Sequence, residues 1–324
     1  MNCDIVALGE ALIDFTPYGT SAEGQPLFER NPGGAPVNVA VAAAKLGKRA
    51  AFIGKVGKDP FGACLRQTLQ EHGVSSTGLI ETEEAHTTMA FVQLDERGER
   101  SFHFVRKPGA DQLLREEELS AQLLADTRIF HFGSISMIAE PSRSATIAAA
   151  RVAKANGALI SFDPNWRPAL WNHEREALEM MNAGIGLSDV VKVSEEELHF
   201  LTGMPNVEAA SQKLTDKHAI RMLLVTAGER GSYFRMNGCW GHVESCAVQT
   251  IDTTGAGDGF LGALLYKVLE LDKQLAAWSE AELRDALRFA NAAGALAATR
   301  KGAIPALASK DRIEALLQQA EHSS

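Results

Sequence analysis

Residues 190–228 have the sequence VVKVSEEELHFLTGMPNVEAASQKLTDKHAIRMLLVTAG, in which two short apolar runs enclose two amphipathic segments. The runs VVKVS and AIRMLLVTAG predict buried strands, because they are short, apolar and rich in aliphatic residues. The segments Glu195–Leu201 and Val207–Lys217 between them have helical periodicity. Strands that alternate with helices in this way predict a parallel sheet.

The same alternation extends outward along the chain. Further buried strands are predicted at DIVALGE, AAFIGKVG, RIFHFGS and ALISFD, and further helices at Pro36–Leu46, Pro60–His72, Ser142–Asn156 and Glu174–Asn182. Several helices carry start and stop signals: Asp59-Pro60 begins one, and Gly47, Gly73 and Gly157 follow helix ends. We therefore predict an α/β fold with a mostly parallel central sheet covered by helices on both faces.

Two stretches interrupt this pattern. Residues 15–32 are rich in turn residues and lack helical periodicity, and residues 87–105 predict two alternating strands joined by the turn DERGE. We expect antiparallel strands here to form a small lid over the edge of the sheet. The chain is thus predicted to be one domain, residues 1–324, with a β lid built from about 15–32 and 87–105. A later segment, GSYFRMNGCWGHVE, predicts a hairpin that turns at Asn237-Gly238.

Composition excludes several classes of protein. A net charge of −9 gives no reason to expect nucleic-acid binding, which calls for a basic face. No apolar run approaches the ~18 residues that span a bilayer, and the start of the sequence lacks the pattern of a signal peptide. The four cysteines form no C-x-x-C pair. They argue against a zinc site and favour a reducing, cytoplasmic location.

In open α/β sheets, ligands bind beyond the carboxyl ends of the strands. Functional residues are therefore expected in the segments that follow predicted strands, namely Gly9–Asp14, Asp163–Arg167, Thr226–Gly231 and Asp252–Asp258. Asp14 is expected just after the first strand. Residues 251–254, IDTT, are expected to end a strand immediately before a long helix.

Residues 255–262, GAGDGFLG, contain two overlapping patterns. Gly257–Gly262 matches the G-x-G-x-x-G of dinucleotide-binding loops, but the sequence lacks the acidic residue expected about 20 positions later at a strand end. Gly255-Ala256-Gly257 instead predicts an anion hole, since small residues let backbone N–H groups approach a phosphate at a helix N-terminus. Asp258 is then either an ordinary acid of the first helical turn or a general base that takes a hydroxyl proton.

The stretch NPGGAPVNVA, residues 31–40, allows two similar interpretations. Gly33 and Gly34 either form a tight turn before a helix with Pro36 in its first turn, or let a polyol approach the backbone. Asn38 would then offer a donor and an acceptor to hydroxyl groups, and Asp14 would accept hydrogen bonds from them.

Together these residues resemble a known family. GGAPVNVAVAAAKLG near the N-terminus and DTTGAGDGFLGALL near the C-terminus are similar to the two signatures of the ribokinase-like (phosphofructokinase-B, PfkB) carbohydrate kinases. The segments GERSFHFVRKPGADQLL, FHFGSISMI and ISFDPNWRPALW resemble the branch of that family that phosphorylates fructose. The resemblance implies a three-layer sandwich with a β lid, and transfer of a phosphoryl group from ATP to D-fructose, giving fructose 6-phosphate.

The resemblance also assigns roles to individual residues. It makes Asp258 the catalytic base, with Gly255, Ala256 and Gly257 as the anion hole. It assigns sugar or phosphate binding to Asp14, Gly33, Gly34, Asn38, Arg106 and Arg167. It assigns nucleotide binding to Thr226, Gly228, Gly231 and Asn291, and Mg²⁺ and phosphate to Glu197, although Ser194 stands where the family commonly has asparagine.

A monovalent cation, K⁺, is a further implied ligand. The matching positions are Asp252, Thr254, Ala297, Arg300 and Gly302, mostly through backbone carbonyls, and Ala306 replaces a serine often used there. A homodimer through the lid is expected because the edges of a small sheet often pair with another chain. Two alternatives stay open: a kinase for aminoimidazole riboside or another riboside, and a non-catalytic module that binds sugar or nucleotide.

Overall fold

The computed structural model describes residues 3–94 and 100–323 and contains two sheets. The strands in chain order are β1 (Cys3–Leu8), β2 (Leu12–Thr20), β3 (Pro26–Gly33), β4 (Ala50–Gly57), β5 (Val74–Thr82), β6 (Met89–Leu94), β7 (Arg100–Val105), β8 (Thr127–Gly133), β9 (Leu159–Asp163), β10 (Val190–Ser194), β11 (Met222–Thr226), β12 (Ser232–Met236) and β13 (Cys239–Val243).

The helices lie between these strands and after the last of them. In chain order they are α1 (Ala35–Lys45), α2 (Pro60–Glu71), α3 (Ala121–Ala125), α4 (Ser142–Ala155), α5 (Glu174–Leu187), α6 (Glu195–Thr202), α7 (Val207–Lys217), α8 (Ala256–Leu271), α9 (Glu280–Ala297) and α10 (Lys310–Ser323). None of these helices combines the length and the apolar character that crossing a bilayer requires, as far as the described residues extend.

The larger sheet has nine strands in the order β13-β12-β11-β10-β9-β8-β1-β4-β5. Seven of them are parallel, and the β12–β13 hairpin adds two antiparallel strands at one edge. The hairpin turns at Asn237-Gly238, where both residues have positive φ, as the sequence predicts. The predicted mostly parallel sheet is confirmed.

Helices cover both faces of this sheet. One face packs against α4–α7 in a cluster that includes Phe130, Phe132 and Phe162. The other face packs against α1, α2, α8, α9 and α10 in two further clusters. Buried strands are apolar on both faces for this reason, which explains why they are short continuous apolar runs in the sequence.

The smaller sheet has the order β3-β2-β6-β7 and includes both stretches that interrupt the α/β alternation. Its pairing is mixed rather than wholly antiparallel as expected, because β2 and β6 are parallel. The predicted turn DERGE, residues 95–99, lies outside the described residues.

Asp14 follows β1 as expected, but it lies in a strand that was not predicted there. Asp14 lies within β2 of the smaller sheet, opposite Asn31 of β3, rather than in a loop after β1. The sequence predicted that residues 15–32 contribute to the lid but did not locate a strand that includes Asp14, since the segment is rich in turn residues such as Pro17 and Gly19. The structure accommodates them at a shift in the β2–β3 register, and bulges of this kind tolerate proline and glycine.

Residues 251–254 do not end a strand either. The last strand ends at Val243, and the chain then runs without regular structure to Gly255. The backbone N–H groups of Ile251 and Asp252 both donate to the carbonyl of Ala298, at 2.8 and 3.1 Å. The backbone N–H groups of this segment therefore find their hydrogen-bond partner at the end of α9 instead of in the sheet.

Helix α5 is five residues longer than predicted. The predicted end at Asn182 comes shortly before Gly184 and Gly186. Gly184 is instead a packing position, since a Cβ there would lie 2.6 Å from the ring of Phe162. The glycine allows the helix to pass close to the sheet.

Candidate active site

Two cavities open near the carboxyl end of the larger sheet and meet at the beginning of α8. The first has a volume of about 430 Å³ and the second about 380 Å³. Thr253 and Gly257 line both. Two molecules placed in these cavities would therefore approach each other at the N-terminus of α8.

The first cavity contains every residue predicted to bind a nucleotide except Glu197. Thr226 at the end of β11, Gly228, Gly231 and Asn291 of α9 all line it. The side-chain amide of Asn291 donates to the carbonyl of Val243 at 2.9 Å, so it also holds the end of β13 against α9. Much of the remaining lining consists of small residues.

The second cavity contains most of the residues predicted to bind the sugar. Its lining includes Asp14, Gly34, Asn38, Arg167, Glu197, Gly255, Gly257 and Asp258. Gly33 and Ala256 lie beside it, and Ala256 lines the first cavity. The two sequence motifs are therefore brought together at one point, where α1 and α8 begin.

The N-terminus of α8 is open because glycines form it. Gly255 has a φ of +77°, which favours glycine, and a Cβ there would also lie 2.8 Å from Cβ of Ala303. A Cβ on Gly257 would lie 3.0 Å from Nζ of Lys192. No side chain caps the helix, all of whose residues are described. Such a terminus can receive an anion.

Asp258 lies in the first turn of α8 and is 9% exposed. Its Oδ2 accepts a 2.7 Å hydrogen bond from Nδ2 of Asn38 on α1. Burial raises the pKa of Asp258 to about 6; Asp163 adds to this, whereas the Asn38 hydrogen bond, Lys192 and Arg167 oppose it. A carboxylate that is ionised at neutral pH but has a raised pKa suits a general base.

Lys192 is a buried cation next to this base that the sequence analysis did not select. Its Nζ donates to Oδ2 of Asp163 at 2.9 Å, with both side chains less than a tenth exposed. Burial alone would lower the pKa of Lys192, but the carboxylates of Asp163 and Glu197 outweigh burial and raise it. The available signal was a lysine within the otherwise apolar strand VVKVS.

Glu197 lies in the first turn of α6 and faces the second cavity from a fixed position. Its two oxygens accept from the backbone N–H groups of Trp166 and Ser194, each at 2.7 Å. Burial raises its pKa, Lys192 opposes this and Asp163 adds to it. Ser194 Oγ accepts from the Glu197 N–H at 3.1 Å, so the serine at the usual asparagine position caps α6.

The beginning of α1 forms the opposite wall of the second cavity. Gly34 has a φ of +113°, and a Cβ there would lie 2.3 Å from the carbonyl oxygen of Glu10. A Cβ on Gly33 would lie 3.0 Å from Oδ2 of Asp14. Burial raises the pKa of Asp14 to about 7, against the attraction of Arg167. A side chain at either glycine would therefore collide with a polar group of the cavity wall, the carbonyl of Glu10 or the carboxylate of Asp14.

The two predicted arginines differ in position. Arg167 lines the second cavity, whereas Arg106 does not. The buried guanidinium of Arg106 donates to Asp111 at 2.6 and 2.9 Å and to the carbonyl of Ile135 at 3.1 Å. Arg106 thus joins the end of β7 to the main body of the protein.

Of the five residues predicted to bind a monovalent cation, three are connected by hydrogen bonds. Asp252 accepts hydrogen bonds from the backbone of Thr254 at 2.8 Å and of Gly302 at 3.1 Å. Ala297 is buried in α9, Arg300 is exposed, and neither lines either cavity. Across the described ranges, no group of three or more His, Cys, Asp or Glu side chains is placed to bind a metal.

This arrangement defines a class of protein: an α/β enzyme that brings two ligands together at an open helix N-terminus beside a buried carboxylate. Comparison with known proteins specifies the class. Residues 2–310 match the family described as pfkB family carbohydrate kinase. The chain is 46% identical over 316 residues to probable fructokinase-4 of Arabidopsis thaliana, covering 97% of this chain and 96% of that protein.

Solved structures of the same fold agree. A fructokinase from Xylella fastidiosa with bound ATP is 37% identical, with a TM-score of 0.90 and 99% of each chain covered. A fructokinase from Vibrio cholerae O395 with fructose, ADP and a calcium ion is 40% identical, with a TM-score of 0.87, covering 98% of this chain and 100% of that one. The chain therefore belongs to the pfkB family of carbohydrate kinases, and it is an ATP-dependent sugar kinase with the ribokinase-like fold.

Proposed function

We propose that this kinase phosphorylates D-fructose to fructose 6-phosphate. The observation that carries the proposal is the meeting of the two cavities at Gly257, directly beside Asp258. The similar proteins named above are fructokinases, and one of them was solved with fructose and ADP. A sugar in the second cavity and ATP in the first would present a hydroxyl and a phosphoryl group to the same helix turn.

The proposed chemistry is direct in-line transfer. Asp258 takes the proton from the sugar hydroxyl, and Asn38 keeps its carboxylate oriented. The backbone N–H groups at Gly255, Ala256 and Gly257 receive the transferring phosphoryl group, whose charge is spread over its oxygens. Lys192, held by Asp163, adds a buried positive charge next to Gly257. The fixed donors need no reorganisation when charge develops.

The remaining assignments concern binding. We infer that Asp14, Gly33, Gly34, Asn38 and Arg167 hold the sugar, and that Thr226, Gly228, Gly231 and Asn291 hold the nucleotide. Arg106, because Asp111 engages it, is proposed to position the smaller sheet rather than to contact the sugar in this conformation. The smaller sheet would then act as a lid that excludes water.

Mg²⁺ is proposed to accompany ATP. It is usually bound by one or two carboxylates together with substrate phosphates, and it neutralises their charge. Glu197 is a carboxylate of the second cavity that fits this need, and it would act through water because both of its oxygens already accept backbone N–H groups. K⁺ is proposed near Asp252, Thr254 and Gly302, with Ala297 and Arg300 contributing only backbone carbonyls.

We also propose a homodimer through the lid and a cytoplasmic location. Strands β3 and β7 are the edges of the smaller sheet, and Tyr18, Leu27 and Phe28 on it are 68%, 42% and 45% exposed. Exposed strand edges with apolar side chains commonly pair with another chain. A monomeric mass in sedimentation would contradict the dimer. The four free cysteines fit a reducing compartment.

One experiment tests the substrate and both alternatives. ADP release is measured with fructose, other sugars and ribosides, including aminoimidazole riboside, in K⁺ and then in Na⁺. We expect the highest kcat/KM with fructose and lower activity in Na⁺. A higher kcat/KM with a riboside would overturn the fructose assignment. Sugar binding without ADP release would support the non-catalytic module instead.

A further inference from the structure

Glu10 is a buried acid at the sugar cavity to which none of the roles above applies. It lies between β1 and β2, is 2% exposed, and lines the second cavity together with Asp14, Gly34 and Asn38. A glutamate buried to this extent in the wall of a ligand cavity needs a physical reason, since glutamate is almost never fully buried unless it is paired.

One carboxylate oxygen of Glu10 is held and the other is not. Oε1 accepts a 3.0 Å hydrogen bond from the backbone N–H of Ala35, the first residue of α1. Oε2 is completely buried and has no hydrogen-bond partner in the part of the chain that the structure describes. Buried polar atoms nearly always have a partner, and water does not reach Oε2 in this conformation. The missing partner is therefore one that the ligand would supply once a small movement of the Glu10 side chain turns Oε2 into the cavity that this residue lines.

The groups facing Glu10 favour its neutral form. Arg106, the nearby cation, is engaged by Asp111 and by the carbonyl of Ile135. Burial raises the pKa of Glu10 to about 7; the charge of Asp111 adds to this, whereas Arg106 and the N–H groups of Glu10 and Ala35 oppose it. Because Oε1 accepts the Ala35 N–H, the proton of the neutral acid belongs on Oε2.

We propose that Glu10 binds the sugar by donating a hydrogen bond from Oε2 to a sugar hydroxyl other than the one that is phosphorylated. This inference rests on the sugar-kinase function proposed above. Ala35, which holds Glu10, and Asn38, which holds Asp258, are three residues apart on α1, or about 4.5 Å along the helix axis. The two acids therefore address different atoms of one sugar, Glu10 as a donor and Asp258 as an acceptor.

The test compares E10Q with E10L and with E117Q, which makes the same chemical change at an exposed glutamate. Gln keeps the Oε1 acceptor and supplies a donor at every pH, whereas Leu removes both. Fructose affinity is measured by titration calorimetry without ATP from about pH 6 to about pH 8, on either side of the expected titration. Asp14 titrates in the same range, so the informative difference is between wild type and E10Q.

We expect wild type and E117Q to lose affinity as the pH rises past about 7 and E10Q to lose less. E10L should bind about three- to tenfold more weakly at low pH, the loss of one hydrogen bond. A deoxyfructose that lacks the partner hydroxyl should bind wild type and E10L equally. Thermal melts check that each variant is folded; if E10L does not fold, the E10Q comparison alone decides.

The outcomes separate this inference from the function on which it rests. If wild type and E10Q lose the same affinity with pH, or folded E10L binds like wild type, Glu10 does not bind the sugar, whatever the turnover. If fructose binds with the expected Glu10 dependence but no ADP is released, the kinase function proposed for fructose fails and the inference about Glu10 stands. Absence of fructose binding by wild type would overturn both.

Discussion

The helices α1 and α8 both begin at the sugar cavity, but their first turns are built differently. At α8 no side chain caps the helix, and glycines leave its backbone N–H groups open. At α1 the N–H of Ala35 is already taken by Glu10. An open helix N-terminus attracts an anion, whereas an occupied one has less positive potential to offer.

The difference explains how one cavity can separate a sugar from a phosphate. A neutral polyol gains little from a helix dipole but needs directed donors and acceptors, which Asn38 and Asp14 provide on the α1 side. A phosphoryl group needs concentrated positive potential, which α8 and Lys192 provide. Variants at the beginnings of these helices test this division.

The largest effect is expected for D258N, which removes the carboxylate at α8 but keeps its shape. Turnover should fall by about 10²–10⁴-fold, as for loss of a general base, because Asn cannot take the hydroxyl proton. Fructose affinity should change little. ADP release under saturating substrates gives kcat, and calorimetry gives the affinity. Near-normal turnover would rule out Asp258 as the base.

G257A should produce the next largest effect, because it narrows the open terminus. The new Cβ would lie 3.0 Å from Nζ of Lys192, so the lysine or the helix turn must shift. We expect kcat to fall by about 10²-fold, comparable with loss of one oxyanion-hole donor. The kcat of G228A provides the comparison. Gly228 lines the nucleotide cavity and has a φ of +60°, but no atom lies within 4 Å of a Cβ added there. A kcat in G257A equal to that of wild type would contradict a phosphate site at Gly257.

Much of this site followed from sequence because its residues are clustered in two motifs. GGAPVNVA and DTTGAGDG each place several small or polar residues at a helix start, and periodicity located those helices. Asp258 and Asn38 were therefore selected separately, although their direct hydrogen bond was not foreseeable. Their contact depends on α1 and α8 packing side by side, which neither motif specifies.

Lys192 and Glu10 could not be selected in the same way. Each is a single ionisable residue in or beside an apolar strand, which marks it as unusual but does not indicate a role. Their importance depends on partners far away in the sequence, Asp163 for Lys192 and Ala35 for Glu10. Asp14 was selected, but the strand that holds it, β2, was not located, because Pro17 and Gly19 are turn residues.

N38A tests whether Asn38 on α1 controls the pKa of Asp258 on α8. The Asn38 hydrogen bond favours the ionised form of Asp258, so its removal should raise the pKa of Asp258 above about 6. Less base is then ionised at neutral pH, and kcat/KM should fall about three- to tenfold, the worth of one such bond. The acid limb of the kcat/KM profile should move to higher pH, and the loss should shrink as the pH is raised. An unmoved acid limb would show that Asn38 does not tune the base.

S194N should have the smallest effect on activity and stability. It changes a third helix N-terminus, that of α6, which the side chain of Ser194 caps. Asn caps helices as well as Ser, so the free energy of unfolding should stay within a few tenths of a kcal/mol, whereas S194A should lose about 1 kcal/mol. If Glu197 holds Mg²⁺ through water, an added amide beside it should lower the half-saturating Mg²⁺ concentration about threefold, since outer-shell partners tune metal affinity. ADP release over a Mg²⁺ titration measures this. An unchanged Mg²⁺ requirement with unchanged stability would mean that the side chain at position 194 only caps α6 and takes no part in holding the metal.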